Sequence, residues 1–290
     1  RTPAYHSRYA KPDRLALDAA VRRDFGPEAA ARPGGCLLLS TQVAEQSLDV
    51  DFDLLLTDLC PIDVLLQRIG RLHRHAARSD HRPAVARRAR VIVVEPEGGF
   101  TDQLEKKSIG LGWGDNQPYH DYAHGELTLR QIDSKAAISI PAENRALIEA
   151  VYHPAARERL RAEPAWARYW QRSELHAAHE RFVATTVALP FGQPYHACAG
   201  LYDNELSIDY RTRLGLDTVR LDLPYPVHCW YAAPPAPVLT ADLPQWCLPK
   251  QDKEQPLTTV TPRPPRDGAT CFAVAEHLYW YGPDGWEWES

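Results

Sequence analysis

The sequence predicts an α/β fold built on a mostly parallel sheet, with a helical linker and a small mixed C-terminal domain after it. Three observations predict this. Short apolar runs at Cys36–Ser40, Leu54–Leu59 and Val91–Val94 alternate with segments of helical period. A longer helical stretch begins near residue 142, and from about residue 186 the composition turns to proline and alternating strands. Buried strands separated by helices are the pattern of parallel strands joined by crossovers.

Taken in order, residues 13–25 form the first predicted helix, because Leu17, Val21 and Phe25 recur every four residues and Asp13 stands near its start. Gly34 and Gly35 interrupt the pattern before the first strand candidate. Pro61 and Asp63 open a second helix, since Pro suits a first turn and a carboxylate suits the positive helix end. Ile62, Leu65, Ile69 and Leu72 share its apolar face, with Gln67, Arg71 and Arg74 opposite. After Pro96 the chain reads as irregular to about residue 139. The helical stretch from 142 to 184 is interrupted near Pro154 and Pro164, with Trp166, Tyr169, Trp170 and Phe182 as its packing residues. Ile208, Tyr210, Thr212 and Leu214 share one strand face, as do Val219, Leu221 and Leu223. A terminal hairpin is expected over Phe272–Trp288, turning at Gly282–Gly285.

Length and composition set the outer bounds. The 290 residues suggest about two domains, and a 44% hydrophobic content fits a globular chain. No run of about 20 apolar residues offers a membrane span, and Asp13 and Asp18 break any signal-peptide core. Cysteines 36, 60, 198, 229, 247 and 271 include no CxxC pair, so scattered thiols in the reducing cytoplasm are expected. A net charge of −5 gives no global case for nucleic-acid binding. Locally, however, eight arginines and one acid, Asp80, lie between Gln67 and Arg90. Guanidinium forks suit bidentate phosphate contacts, although high-GC coding bias would also enrich arginine.

Phosphoryl transfer needs donors aimed at the oxygens whose charge changes. Gln67, Arg71 and Arg74 can supply such donors, but no GxxxxGK[ST] phosphate loop accompanies them. The arginine helix therefore needs a facing lobe. The run Ser40-Thr41-Gln42-Val43-Ala44-Glu45-Gln46-Ser47-Leu48-Asp49-Val50-Asp51-Phe52-Asp53 closely resembles motif V of the CRISPR-associated helicase–nucleases of type I interference systems, subtype I-E. Gln67-Arg68-Ile69-Gly70-Arg71-Leu72-His73-Arg74-His75 resembles their motif VI, in the general superfamily 2 form QRxGRxxR. Tyr5-His6-Ser7-Arg8-Tyr9 followed by Asp13-Arg14 resembles the segment around motif IV. Motif VI alone names the superfamily; the longer combination, spanning about residues 5–94, is much more specific.

The resemblance implies a second RecA-like helicase lobe over residues 1–139, a helical linker over 140–185 and a C-terminal accessory domain over 186–290. It implies that Arg71 and Arg74 reach ATP phosphates with Mg2+ across the cleft, Arg74 being favoured as arginine finger. Gln67 would couple nucleotide to the lobe, and Asp49 would lie at the nucleotide interface. Thr41, Gln42, His6, Ser7 and Arg8 would meet the backbone of single-stranded DNA, which gives movement without sequence preference. The implied partners are single-stranded DNA, a crRNA-guided surveillance complex (Cascade), and an N-terminal helicase lobe with an HD nuclease domain that uses divalent transition metals. Without phosphate loop, DExx or HD segments, the chain alone is expected to be inactive. The alternative is a non-catalytic nucleic-acid- or protein-binding module derived from a helicase lobe.

Plainer structural roles stand beside several of these. Asp49 could cap the following turn, Thr41 could be a strand-end hydroxyl, and Arg68 could serve either structure or nucleotide. His73 and His75 suit packing or solvent better than chemistry. His120-Asp121 lacks the further histidines and aspartates of an HD metal cluster. His176 with His179, and His196 with Cys198, lack a convincing fourth ligand, so no metal site is expected.

Overall fold

The computed structural model describes residues 4–27, 35–45, 48–114, 117–187, 218–235, 237–244, 247–249, 260–266 and 268–289. Spatial proximity divides the chain into two compact units, neither contiguous in sequence. One comprises Arg1–Asp51, His75–His81 and Arg211–Ser290; the other comprises Phe52–Arg74 and Arg82–Tyr210.

In the first unit, helix α1 runs Lys11–Phe25 and buries Leu17, Val21 and Phe25 on the stripe that the sequence predicts. Arg22 and Arg23 in its last turn complement the negative helix end. The apolar run 36–40 does not become a strand. It makes a single parallel bridge, Tyr5 to Ser40, and leaves Leu37 and Leu39 exposed. The C-terminal part is all antiparallel. Strands β5 (Thr218–His228) and β6 (Pro237–Pro244) form one pair with a bulge between Asp222 and Val227. Strands β7 (Val260–Arg266), β8 (Ala269–Val274), β9 (His277–Gly282) and β10 (Gly285–Glu289) form a meander in the order β10-β9-β8-β7. The alternation of Val219, Leu221 and Leu223 is realised in β5, where Leu221 is buried and its two companions pack beside the core. Phe272, Tyr279, Tyr281 and Trp286 fill the centre, with Phe272 and Tyr279 stacked at 5.4 Å. The alternating face proposed for 208–214 lies outside the described residues.

In the second unit, β1 (Leu55–Asp58) and β2 (Val91–Val94) pair in parallel, Leu56 opposite Ile92. Helix α2 (Ile62–Ile69) packs Ile62, Leu65 and Leu66 into a core shared with Phe100, Trp113, Leu147, Leu160 and Trp166. A short hairpin, β3 (Ser108–Gly110) and β4 (Trp113–Gly114), brings in Trp113, whose indole N–H donates to the Leu59 carbonyl at 2.8 Å. The segment read as irregular contains helix α3, Tyr122–Asp133, N-capped by Asp121. Gly125 lies against Phe100; a Cβ there would stand 2.2 Å from the ring, so only glycine allows that approach. Helices α4 (Asn144–Tyr152), α5 (Pro154–Arg161) and α6 (Ala167–Val187) follow, broken at the two expected prolines. Trp166, Tyr169 and Trp170 are buried as expected, whereas Phe182 is 66% exposed.

The expectation of a mostly parallel, RecA-like sheet is therefore overturned. Among the described residues only β1 and β2 form a parallel sheet; the larger sheets are antiparallel. Two-residue turns, not helical crossovers, join β8 to β9 and β9 to β10, and a tight turn can only reverse a strand. Leu54, Leu56, Ile92 and Val94 are also exposed, so the β1–β2 pair buries one face instead of two.

Candidate functional site

The segments singled out in the sequence fall in both units. In the first, the Tyr5 region and the Ser40 region lie side by side. The Tyr5 amide donates to Leu39 at 2.7 Å and the Thr41 amide donates to Tyr5 at 3.1 Å. The Ser40 hydroxyl also donates to the Tyr5 carbonyl at 3.1 Å. The Thr41 side chain is left exposed, and Gln42 opens a 3-10 turn, Gln42–Glu45. Two stretches far apart in sequence thus form one ledge, with Ser7, Arg8 and Thr41 exposed on it.

His6 sits differently. It is buried and stacked on Tyr9 at 4.6 Å with 7° between ring planes. Burial, followed by the Arg8 charge, holds its pKa below the ordinary 6.5. Burial also pushes the Tyr5 and Tyr9 phenols up to about 12, the Tyr5 hydroxyl being hydrogen-bonded to Asp18. The His6 imidazole is thus packed and holds a proton less readily than a free one, while Ser7 and Arg8 beside it are exposed.

Asp49 is exposed and its carboxylate lies 3.0 Å from His75 Nε2. Asp51 is fully buried; it accepts the His75 amide at 2.7 Å and lies 3.9 Å from the buried Arg78 guanidinium. The end of the motif V-like run is therefore tied to the residues that follow the motif VI-like run. Sequence reasoning missed Asp51, Arg78 and the His75 partnership. An arginine inside a basic run reads as solvated, and only the intervening fold reveals an acid for it.

In the second unit, α2 ends at Ile69, so Gln67, Arg71 and Arg74 do not share one rigid helical face. Gly70 closes the helix, and the chain turns so that Leu72 makes a parallel bridge with Phe52. The Phe52 amide donates to Arg71 at 2.8 Å, and the His73 amide donates to Phe52 at 3.0 Å. His73 has φ of 50°, with its Nε2 3.2 Å from the Asp53 carbonyl. A non-glycine residue at positive φ costs about 1–3 kcal/mol and persists only where its surroundings hold it. This pinned turn carries a half-buried Arg71 and an exposed Arg74, with exposed Gln67 one turn earlier on α2.

Neighbouring arginines have structural duties. Arg68 donates to the Thr57 hydroxyl at 2.7 Å and to the Tyr119 hydroxyl at 3.0 Å. Buried Arg82 donates to Asp53 at 2.6 Å. Asp121 likewise has a structural duty, accepting Arg157 at 2.6 Å and the Tyr169 hydroxyl at 2.7 Å as it caps α3. Burial would raise its pKa, but His124, Arg157 and Tyr169 hold it below the ordinary carboxylate value. Among the described residues no group of three or more His, Cys, Asp or Glu side chains gathers as a metal site. His196 and Cys198 lie outside them, as does the side chain of His176.

Comparison with known proteins matches residues 1–77 to a family described as CRISPR-associated nuclease/helicase Cas3, C-terminal. The Cas3 endonuclease/helicase of Escherichia coli K12 is 32% identical over 229 residues, covering 76% of this chain and 22% of that protein. That of Thermus thermophilus is 38% identical over 148 residues, covering 51% of this chain and 15% of that protein. The chain thus spans less than a quarter of the length of either relative. The T. fusca Cas3–ATP crystal structure superposes with a TM-score of 0.54 at 28% identity, over 78% of this chain and 24% of that one. A chain of a CRISPR RNA-guided surveillance complex in a pre-nicking state gives 0.53 at 27% identity, over 87% of this chain and 28% of that one. The chain belongs to the Cas3-like superfamily 2 helicase–nucleases, in which it corresponds to the C-terminal region.

Proposed function

We propose that this chain supplies motifs V and VI of an ATP-dependent single-stranded DNA translocase, within a helicase–nuclease that degrades invading DNA in type I CRISPR interference. One observation carries the reading: Arg71 and Arg74 stand together on a turn pinned to the Phe52 backbone, the first half-buried and the second exposed. A triphosphate with Mg2+ suits such donors, and when bound it supplies the phosphoryl group whose transfer drives movement. Arg71 and Arg74 then place two guanidinium forks at the developing charge, and Gln67 adds a neutral donor. Asp49, paired with His75, is assigned to the nucleotide-binding set by the family resemblance.

The ledge of Ser7, Arg8, Thr41 and Gln42 holds the DNA backbone, with His6 packed beneath it. Backbone contacts suit a motor that must pass every sequence. The division into a motor lobe (1–139), linker (140–185) and accessory domain (186–290) belongs to the same proposal. So do the facing N-terminal lobe, an HD domain with divalent transition metals, and loading from a crRNA-guided surveillance complex.

Arg74→Ala in the complete motor provides the test. Loss of ATP-driven strand movement with most ATP binding retained is expected. Uniform loss of DNA affinity with normal ATP turnover would replace the motor reading with a binding module.

A further inference from the structure

Arg8 is exposed and stands on the ledge assigned above to the DNA backbone, and this section rests on that assignment. An exposed arginine ordinarily samples many rotamers, and ordering it on a phosphate costs affinity. Here three contacts from the C-terminal hairpin β9–β10 converge on this residue. The Trp286 amide donates to the Arg8 carbonyl at 2.8 Å. Gly285, at φ of 84°, approaches so closely that a Cβ would lie 2.7 Å from that same carbonyl oxygen. The Arg8 guanidinium lies over the Trp288 indole, 5.6 Å from the ring centroid.

The hairpin is itself locked to the start of α1. Asp13 is fully buried, and its carboxylate accepts the Tyr281 hydroxyl at 2.6 Å. It also accepts the backbone amides of Trp230, Tyr231 and Ala232 at 2.7–2.8 Å. Tyr9, beside Arg8, donates its hydroxyl to the Ala4 carbonyl at 2.8 Å and meets Tyr231 edge to face at 5.8 Å. The backbone on both sides of Arg8 is therefore fixed by hairpin and loop.

We propose that the β9–β10 hairpin is a seat for Arg8, and that Trp288 is a positioning residue which holds its guanidinium ready for a single-strand phosphate. An aromatic face under an arginine restricts the fork to a plane while leaving its N–H edges for an anion. Trp288 need not touch the strand; it acts through Arg8. The C-terminal sheet would thereby set the affinity of a contact encoded at the other end of the chain.

The test is a double-mutant cycle on this 290-residue chain, reading fluorescence anisotropy of a labelled oligothymidylate against salt. Arg8→Ala should weaken binding and lower the salt slope by about 0.7, the value for one phosphate on a single strand. Trp288→Leu keeps apolar bulk in the partly buried edge strand but removes the π face. It should weaken binding roughly two- to fivefold, about 0.4–1 kcal/mol at 1.4 kcal/mol per decade, and only while Arg8 is present. Trp288→Phe should restore most of the affinity. An equal Trp288→Leu effect in the Arg8→Ala background, or none in either, overturns the seat and leaves the Arg8 contact standing. If Arg8→Ala itself changes neither affinity nor slope, the strand contact and its seat both fall. Unchanged near-ultraviolet circular dichroism in each variant separates these outcomes from unfolding.

Discussion

Asp51 and Arg78 illustrate how much a single buried pair can decide. Both side chains are almost fully excluded from water, and Asp51 also holds the His75 amide. Removing the acid takes away the acceptor of the His75 amide and a carboxylate facing a buried guanidinium, which costs about 1–3 kcal/mol. Asp51→Ala should lower the free energy of chemical unfolding by that amount, while the exposed Asp49→Ala should change it by less than about 1 kcal/mol. His6 and His124 make a different demand, because burial holds both pKa values below 6.5. The unfolded chain then binds protons that the folded chain refuses. Their effect on stability is absent above the unfolded pKa, and stability falls as pH drops below it. Between about pH 7.5 and about pH 5, denaturation midpoints should decline less steeply in His6→Gln than in the native chain. A steeper decline would contradict the packed, neutral assignment. At this scale the family resemblance was legible because the identities and spacing in the two motif-like runs are distinctive. Asp51–Arg78 and Asp53–Arg82 were not, since each pair joins residues nearly thirty apart and only the fold supplies the partner.

Elements were legible where one pattern dominated. Helix α1 and the hairpin β9–β10 follow directly from a four-residue stripe and from strands flanking a glycine turn. Helix α2 was read five residues too long, through Arg74, because Leu72 continues the apolar spacing although its backbone has left the helix to bridge Phe52. Helix α3 was missed, since Gly125 and the polar Glu126 and Thr128 occupy buried positions where the helical pattern calls for aliphatic residues. Strand pairing was misread for a further reason: an apolar run specifies burial, not the direction of its neighbour. Leu65 on α2 is fully buried in the helical core of its unit. Leu65→Ala should cost about 2–5 kcal/mol by chemical denaturation. Leu56 on β1 is 65% exposed, and Leu56→Thr should stay within about 0.5 kcal/mol of the native chain. Comparable losses for the two would contradict the one-sided burial of the parallel pair.

For the molecule as a whole, the two units divide the motif V-like and motif VI-like segments between them, with the chain passing from one unit to the other at Asp51–Phe52 and at Arg74–His75. Each unit has its own apolar core, one built of antiparallel sheet and the other mainly of helices. Sequence made the family visible because Ser40–Asp53 and Gln67–His75 are long and particular. It did not reveal the architecture around them, where the larger sheets are antiparallel instead of the mostly parallel sheet expected. The central claim is that Arg74 belongs to a composite nucleotide site completed by a facing lobe. It is tested most directly by measuring DNA-stimulated phosphate release after an N-terminal Cas3 portion, carrying the phosphate loop, is supplied to this chain and to its Arg74→Ala variant. Release with the native chain and a loss of at least about 10³-fold with the variant is the expected result. Equal release from both, or none from either once assembly is verified, would contradict the account and favour a helicase-derived binding module.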